Sequence, residues 1–162
     1  MDIRTERLEH GDLPALERWV GHTDGTITPN DLPLEADGLV PWFESCAADP
    51  ERLDCLALVY ETPVGVAGLQ WHGKQDGLAE LYLLLGETGY NPLRTATFVT
   101  LRTLDRAFLE LGFRRVTVRV HAQHAWFLDV LEQIGFSRTA EENEMISLAA
   151  EKDVFLKRKY LF

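Results

Sequence analysis

The sequence predicts one α/β domain of the α+β kind, with a central mixed, mostly antiparallel sheet flanked by helices. Three observations lead there. The chain has 162 residues; at about 150 residues per domain that is one domain, large enough to bury a core without disulfides or metal. Strand-like runs over 53–60, 64–71 and 78–85 follow one another, separated by Glu61-Thr-Pro63 and by Gly73 to Gly77, so they read as antiparallel hairpins. Helix- and strand-like segments then alternate, giving the order β-α-α-β-β-β-α-β-α-β-β around one mixed sheet.

Each element has its own signal. Residues 3–8 read as a short strand. Asp12 suits an N-cap, Pro14 falls in the first turn where its missing N–H costs nothing, and Leu13, Leu16, Trp19 and Val20 recur at helical spacing. Residues 21–37, rich in Gly, Thr, Pro and Asp, read as a long loop of the kind that often carries function. A second helix is expected over about 36–48, ended by Asp49-Pro50. Gly65 and Gly68 let a neighbouring backbone come close to the 64–71 strand. The strongest helix opens near Asn91 or Pro92 and stops before Gly112. Leu93, Thr97, Leu101, Leu104, Phe108 and Leu111 form its apolar face, with Arg102, Arg106 and Glu110 on the other side. Val116, Val118 and Val120 alternate with Thr117 and Arg119 as a half-buried strand, and a helix over 125–134 is stopped by Gly135. Glu141 to Glu144 reads as a solvated turn, and 136–139 and 153–160 as closing strands.

Composition removes several function classes. Sixteen basic against 26 acidic residues give a net charge of −10, the wrong sign for a nucleic-acid binder or a polybasic membrane-surface protein. A local basic pocket for one phosphate-bearing ligand stays open. No apolar run approaches the roughly 18 residues of a membrane helix, and the first residues do not resemble a signal peptide. Cys46 and Cys55 cannot form a disulfide framework and read as reduced thiols of a cytoplasmic protein.

Where the 78–85 strand hands over to the helix at Asn91 or Pro92, the first backbone N–H groups and the macrodipole make a generic anion site. Arg94 adds a cation there, and Thr95 and Thr97 add hydroxyls.

The element order, together with Glu110-Leu-Gly-Phe-Arg-Arg-Val116, Val118-Arg-Val120 and Leu131-Glu-Gln-Ile-Gly-Phe136, resembles the GNAT N-acetyltransferase superfamily, in particular its RimJ/RimL-like branch. Gly11-Asp-Leu-Pro14, Pro63-Val-Gly-Val-Ala-Gly-Leu69, Ala79-Glu-Leu81 and, as a last strand, Lys152-Asp-Val-Phe155 extend the resemblance to essentially the whole chain. It implies transfer of acetyl from acetyl-CoA to an amine of a small molecule or a protein N-terminus, without metal, in a protein that can be a homodimer. It implies cofactor contacts from Leu83, Leu84 and Leu85, from Asn91, Leu93, Arg94, Thr95, Ala96 and Thr97, and from His124 and Phe127, although Phe127 also suits the helix core.

The sequence departs from the family twice. The pyrophosphate loop Q/R-x-x-G-x-G/A reads Asn91-Pro-Leu-Arg-Thr-Ala96, so Arg94 replaces a glycine that lets backbone approach the diphosphate. Arg94 either clamps a phosphate oxygen itself or blocks the loop, and Pro92 removes one donor. The family's Asn and its proton-donating Tyr fall on His124 and Leu131, so the usual acid is absent.

Three residues are candidates for proton transfer. Glu80 matches a frequent fourth-strand glutamate and is either the base or a solvated strand-end carboxylate. His72 is a second candidate base. Tyr82, two residues from Glu80 on one strand face, either replaces the missing acid or packs in the core. His121 and His124 lack a third ligand at suitable spacing and make a poor metal site. The acidic residues Asp24, Asp31, Glu35 and Asp37 on the long loop favour a cationic acceptor. A non-catalytic acyl-CoA-binding or protein-interaction domain is the rival reading, and a structural module that binds no CoA is a third.

Overall fold

The computed structural model describes residues 2–20, 27–33, 35–86 and 90–158. The described strands are β1 (Ile3–Arg7), β2 (Arg52–Val59), β3 (Thr62–Gln70), β4 (Leu78–Leu85), β5 (Arg115–His121), β6 (Ser137–Glu142) and β7 (Met145–Glu151). The helices are α1 (Leu13–Trp19), α2 (Leu39–Ala48), α3 (Pro92–Asp105), α4 (Ala125–Ile134) and α5 (Lys152–Arg158). The strands form one sheet in the order β1-β2-β3-β4-β5-β7-β6. Every neighbouring pair is antiparallel except β4 and β5, which run parallel.

Strand alternation sorts the apolar side chains into two layers. Cys55 and Ala57 of β2, Leu81 and Leu83 of β4, Val116, Val118 and Val120 of β5 and Leu148 of β7 face one side. There they pack against Val99 and Leu104 from α3, Phe108 from the π-helical turn Arg106–Glu110 that extends it, and Phe127 and Leu131 from α4. Leu56, Leu58, Val66, Tyr82 and Leu84 face the other side and meet Leu16 and Trp19 of α1 and Trp42 of α2. On that second face β5 turns half-buried or exposed residues outward: Arg115, Thr117, Arg119 and His121. Gly68 sits opposite Tyr82 because a Cβ there would collide with the tyrosine ring. Among the described residues no helix is long and apolar enough to cross a membrane.

The structure changes several local expectations. Residues 152–158 are helix α5, not a closing strand, so Lys152-Asp-Val-Phe155 does not form a last strand either. Asp153 in its first turn and Lys157 and Arg158 in its last complement the helix dipole, and the Phe155 ring packs against Phe108 with centroids 5.2 Å apart and planes tilted by 45°. The closing hairpin is instead β6 and β7, joined at Asn143 and Glu144, whose φ values of 52° and 66° make the tight turn. The second helix begins at Leu39, after a 3-10 turn over Ala36–Gly38. Asp12 stands at the N-cap of α1, but its carboxylate accepts the Glu9 N–H behind it, within a 3-10 turn over His10–Asp12. Arg102 and Arg106 do not simply face solvent. Arg102 donates to Ile3 O (3.3 Å), and Arg106 to Thr5 O and Oγ1 (2.6 and 2.9 Å), which ties α3 to the edge strand β1. Of the long 21–37 loop, residues 21–26 and 34 lie outside the described residues, as do Asp24 and the end of the expected 153–160 strand.

Candidate active site

The parallel pair β4–β5 pairs at Leu78 with Arg115, Ala79 with Val116 and Glu80 with Thr117, and no further. Beyond that point β4 stays with β3 and β5 with β7 to their ends, so the two strands part as a fork. Helix α3 follows β4 and α4 follows β5, and both pack on the same face. Their N-termini therefore lie at the open end of the fork, at the carboxyl ends of the parallel strands, where α/β folds bind ligands.

Between these helices runs a groove of about 550 Å³ lined by Asn91, Leu93, Arg94, Thr97, Trp126, Asp129, Val130 and Gln133. The predicted cofactor residues Asn91, Leu93, Arg94 and Thr97 thus come together. The α4 half of the wall was missed, although Trp126, Asp129, Val130 and Gln133 recur at the three- and four-residue spacing of one helix stripe. Thr95 and Ala96 are buried below the groove, at 3% and 0% exposure. Phe127 is fully buried in the core. His124 is half-buried at the N-cap position of α4. Leu83 and Leu85 face the α3–α4 layer, whereas Leu84 points into the opposite layer.

The start of α3 is a poorer anion site than its position promises. Pro92 has no N–H, Asn91 Oδ1 accepts the Arg94 N–H at 3.2 Å, and Asn91 O accepts the Thr95 N–H at 2.9 Å. Positive charge for a diphosphate must then come from the Arg94 side chain, exposed over the Phe98 ring at 5.6 Å. Thr95 Oγ1 is buried and has no partner among the described residues, and such a group costs about 1–3 kcal/mol until a ligand or water satisfies it. A phosphate-bearing ligand in this groove would be held by the Arg94 side chain rather than by a glycine-lined loop, because the Thr97 hydroxyl donates to Leu93 O at 2.7 Å and Thr95 is buried; Asp129 in the same wall opposes it.

On the other face, Glu80 sits at the last paired position before the strands part, 38% exposed, and accepts a hydrogen bond from Arg119 Nε at 3.0 Å. Arg119 was not foreseen as a site residue. Tyr82 is fully enclosed, its hydroxyl donating to Asp54. Burial, then the Asp54 charge, push its pKa well above 10.0. It is thus held in a structural network and turned away from the α3–α4 groove. His72 lies exposed in the β3–β4 turn, and the structure does not bring it to the groove.

The network around Tyr82 contains Arg52, whose side chain is 7% exposed and bonds Asp54 and Asp31 at 2.8 Å each. Trp42 Nε1 and Gln70 also donate to Asp31. Burial pushes the thiols of Cys46 and Cys55 up to about 12 and about 11, away from nucleophile chemistry. Among the described residues no three metal-ligating side chains converge.

The family profile described as Acetyltransferase (GNAT) domain matches residues 3–137. A mycothiol acetyltransferase of Kineococcus radiotolerans is 32% identical over 114 residues, 66% of this chain and 32% of that protein. The chain therefore spans about a third of the length of this curated relative. A spermidine N-acetyltransferase from Vibrio cholerae, solved with CoA and spermine, superposes with a TM-score of 0.83 at 14% identity, over 95% of this chain and 98% of that one. A mutant form of the Vibrio cholerae spermidine N-acetyltransferase gives 0.82 at 15% identity, over 97% and 98%. At such identities these two structures establish the shared fold alone.

Proposed function

The chain belongs to the GNAT acetyltransferase domain family, and on that premise we propose that it is an acetyl-CoA-dependent N-acetyltransferase acting on a small cationic amine. The observation that carries the reading is the β4–β5 fork, with Glu80 at its vertex on one face and the Arg94-bearing groove on the other. In this reading the groove holds the nucleotide and diphosphate, and the acetyl end lies in the fork. Glu80 takes one proton of the acceptor ammonium, the freed amine attacks the thioester carbonyl, and as the C–S bond breaks the thiolate leaves and the new amide nitrogen gives its second proton to solvent. Orientation supplies most of the acceleration, and a thiolate near its ordinary pKa of about 8.5 departs without a proton. Exposed Glu35 and Asp37, beside α2, and the net charge of −10 favour a cationic acceptor. Asp31 contributes less, since Arg52 neutralises it. The similar Vibrio cholerae structures are named for spermidine, a small cationic amine, which supports the same reading.

The test is release of free CoA thiol from acetyl-CoA across polyamines, amino sugars and peptides with free N-termini, beside calorimetric titration with CoA. Turnover with a polyamine or another small amine supports the reading. Turnover confined to peptides moves the acceptor to a protein N-terminus. CoA binding without turnover on any acceptor favours a non-catalytic acyl-CoA-binding domain. That second reading draws on Leu131, fully buried and aliphatic where the family places its acid.

A further inference from the structure

The open side of β4 is already occupied by the chain itself. Leu83 O accepts the N–H of Ile27 at 3.2 Å, and the Leu83 N–H donates to Thr28 Oγ1 at 2.7 Å. Both groups point away from β3, into the gap that β5 leaves beyond Thr117. Ile27 is 3% exposed and Thr28 2%. Ile27 belongs to the core on the α3–α4 side together with Leu81 and Leu83, so the segment reaches through the fork into the layer that carries the groove.

Local sequence prepares it for this place. Ile27 and Thr28 are β-branched, and Pro29 restrains Thr28 to extended backbone. A few residues on, Asp31 is fastened by Arg52, Trp42 and Gln70. From this geometry we propose that Ile27 and Thr28 are a built-in occupant of the fork, which the pantetheine arm of CoA must displace to bind. The proposal rests on the acetyl-CoA reading above. A pantetheine arm is an extended chain with two amides, and an extended chain beside β4 needs the backbone N–H and C=O that a departed strand leaves open. At Leu83 the arm and the segment need the same two groups. Displacement exchanges one pair of hydrogen bonds for another but takes the buried Ile27 side chain out of the core, so the filled state predominates in the free protein and the apparent affinity for CoA is reduced to the fraction of molecules in which the fork is open.

The test compares CoA with 3′-phosphoadenosine 5′-diphosphate, which carries the nucleotide and phosphates of CoA but no pantetheine arm. Both are titrated by calorimetry into the full chain as wild type, Thr28→Val, Thr28→Ser and Ile27→Ala, after melting curves confirm folding. Thr28→Val keeps the shape but removes the acceptor for the Leu83 N–H. It should tighten CoA by roughly 2–10-fold, the size of one net hydrogen bond, and leave the diphosphate probe unchanged. Thr28→Ser should bind CoA as the wild type does, and Ile27→Ala should tighten it. Unchanged or weaker CoA binding in Thr28→Val, with the diphosphate probe still bound, overturns the displaceable occupant and leaves the acetyl-CoA reading standing. Binding of the diphosphate probe but of CoA by no variant makes the segment a permanent filler and overturns the proposal as well. Failure of both probes with every variant overturns the acetyl-CoA reading itself, and the proposed displacement with it.

Discussion

At the scale of single residues, the site asks most of Glu80 and least of Leu131. Glu80 stands where the strands part, but Arg119 already holds one of its oxygens at 3.0 Å. In the proposed reaction an incoming ammonium would therefore compete with a guanidinium for the carboxylate. Glu80→Gln should lower turnover by about 10²–10⁴-fold and leave CoA affinity alone; a mutant with wild-type turnover would remove Glu80 from the reaction. Leu131 is fully buried, with Val130 and Ile134 of α4 beside it in the same core. Leu131→Tyr therefore adds volume to a filled core instead of a phenol to the fork. Thermal melts should show a loss of about 1–3 kcal/mol without a gain in turnover. A stable and faster Leu131→Tyr enzyme would mean that this position opens onto the thioester.

At the scale of elements, function turns on where β4 ends and α3 begins. At the start of α3 the Arg94 and Thr95 N–H groups are spent on Asn91, so in the proposed reading phosphate binding would fall to the Arg94 side chain. Arg94→Ala should weaken CoA by about 1.5–3 kcal/mol, as for a hydrogen bond to a charged group. The loss should shrink in high salt, because Arg94 is exposed; titrations at two ionic strengths check this. The sequence showed these elements unevenly. The bounds of β4 and α4, and the start of α3 at Pro92, were legible because turn residues, Pro92 and Gly135 mark them locally. Helix α5 was misread because Val154 and Phe155 suggest a strand, while the acid-to-base order from Asp153 to Arg158 was the better signal. The fork was not legible, because the end of β4–β5 pairing is a non-local fact about Thr117 and its partner β7. The filling of that fork by Ile27 and Thr28 was hidden for the same reason: Thr28 and Leu83 are 55 positions apart, and nothing periodic in the sequence marks their contact.

At the scale of the whole molecule, one polar network joins the layer of α1 and α2 to the sheet. It runs from Asp31 through Arg52 and Asp54 to Tyr82, with Trp42 donating from α2. Asp54 and Arg52 are each 7% exposed at the side chain. Removing one partner leaves a buried charge, so Asp54→Ala should cost about 3–5 kcal/mol of stability in denaturant titrations. The network also sets how stability varies with pH. Burial pushes the Asp31 carboxyl up, but hydrogen bonds from Arg52 and Trp42, with the Arg52 charge, outweigh it and hold its pKa below 3.8. The stabilisation from Asp31 is complete above that ordinary value and is lost as pH falls through the lowered one, where the folded chain must take up the proton. At the alkaline end the sign reverses. Tyr82 is raised well above 10.0, and Cys46 and Cys55 rise from 9.0 to about 12 and about 11, each chiefly by burial. Their contribution is complete below the ordinary values and is lost as pH rises through the raised ones, because the unfolded chain ionises first. Melting temperature should therefore form a plateau from about pH 4 to about pH 9 and fall on both sides. The Asp31→Asn variant isolates the acid limb from the other carboxylates. It should be less stable than wild type at pH 7, and the gap should narrow as pH falls below 3.8 toward about pH 2. A gap that stays constant down to that pH would show that Asp31 contributes packing and not charge to the junction that holds the Ile27–Thr28 segment in place.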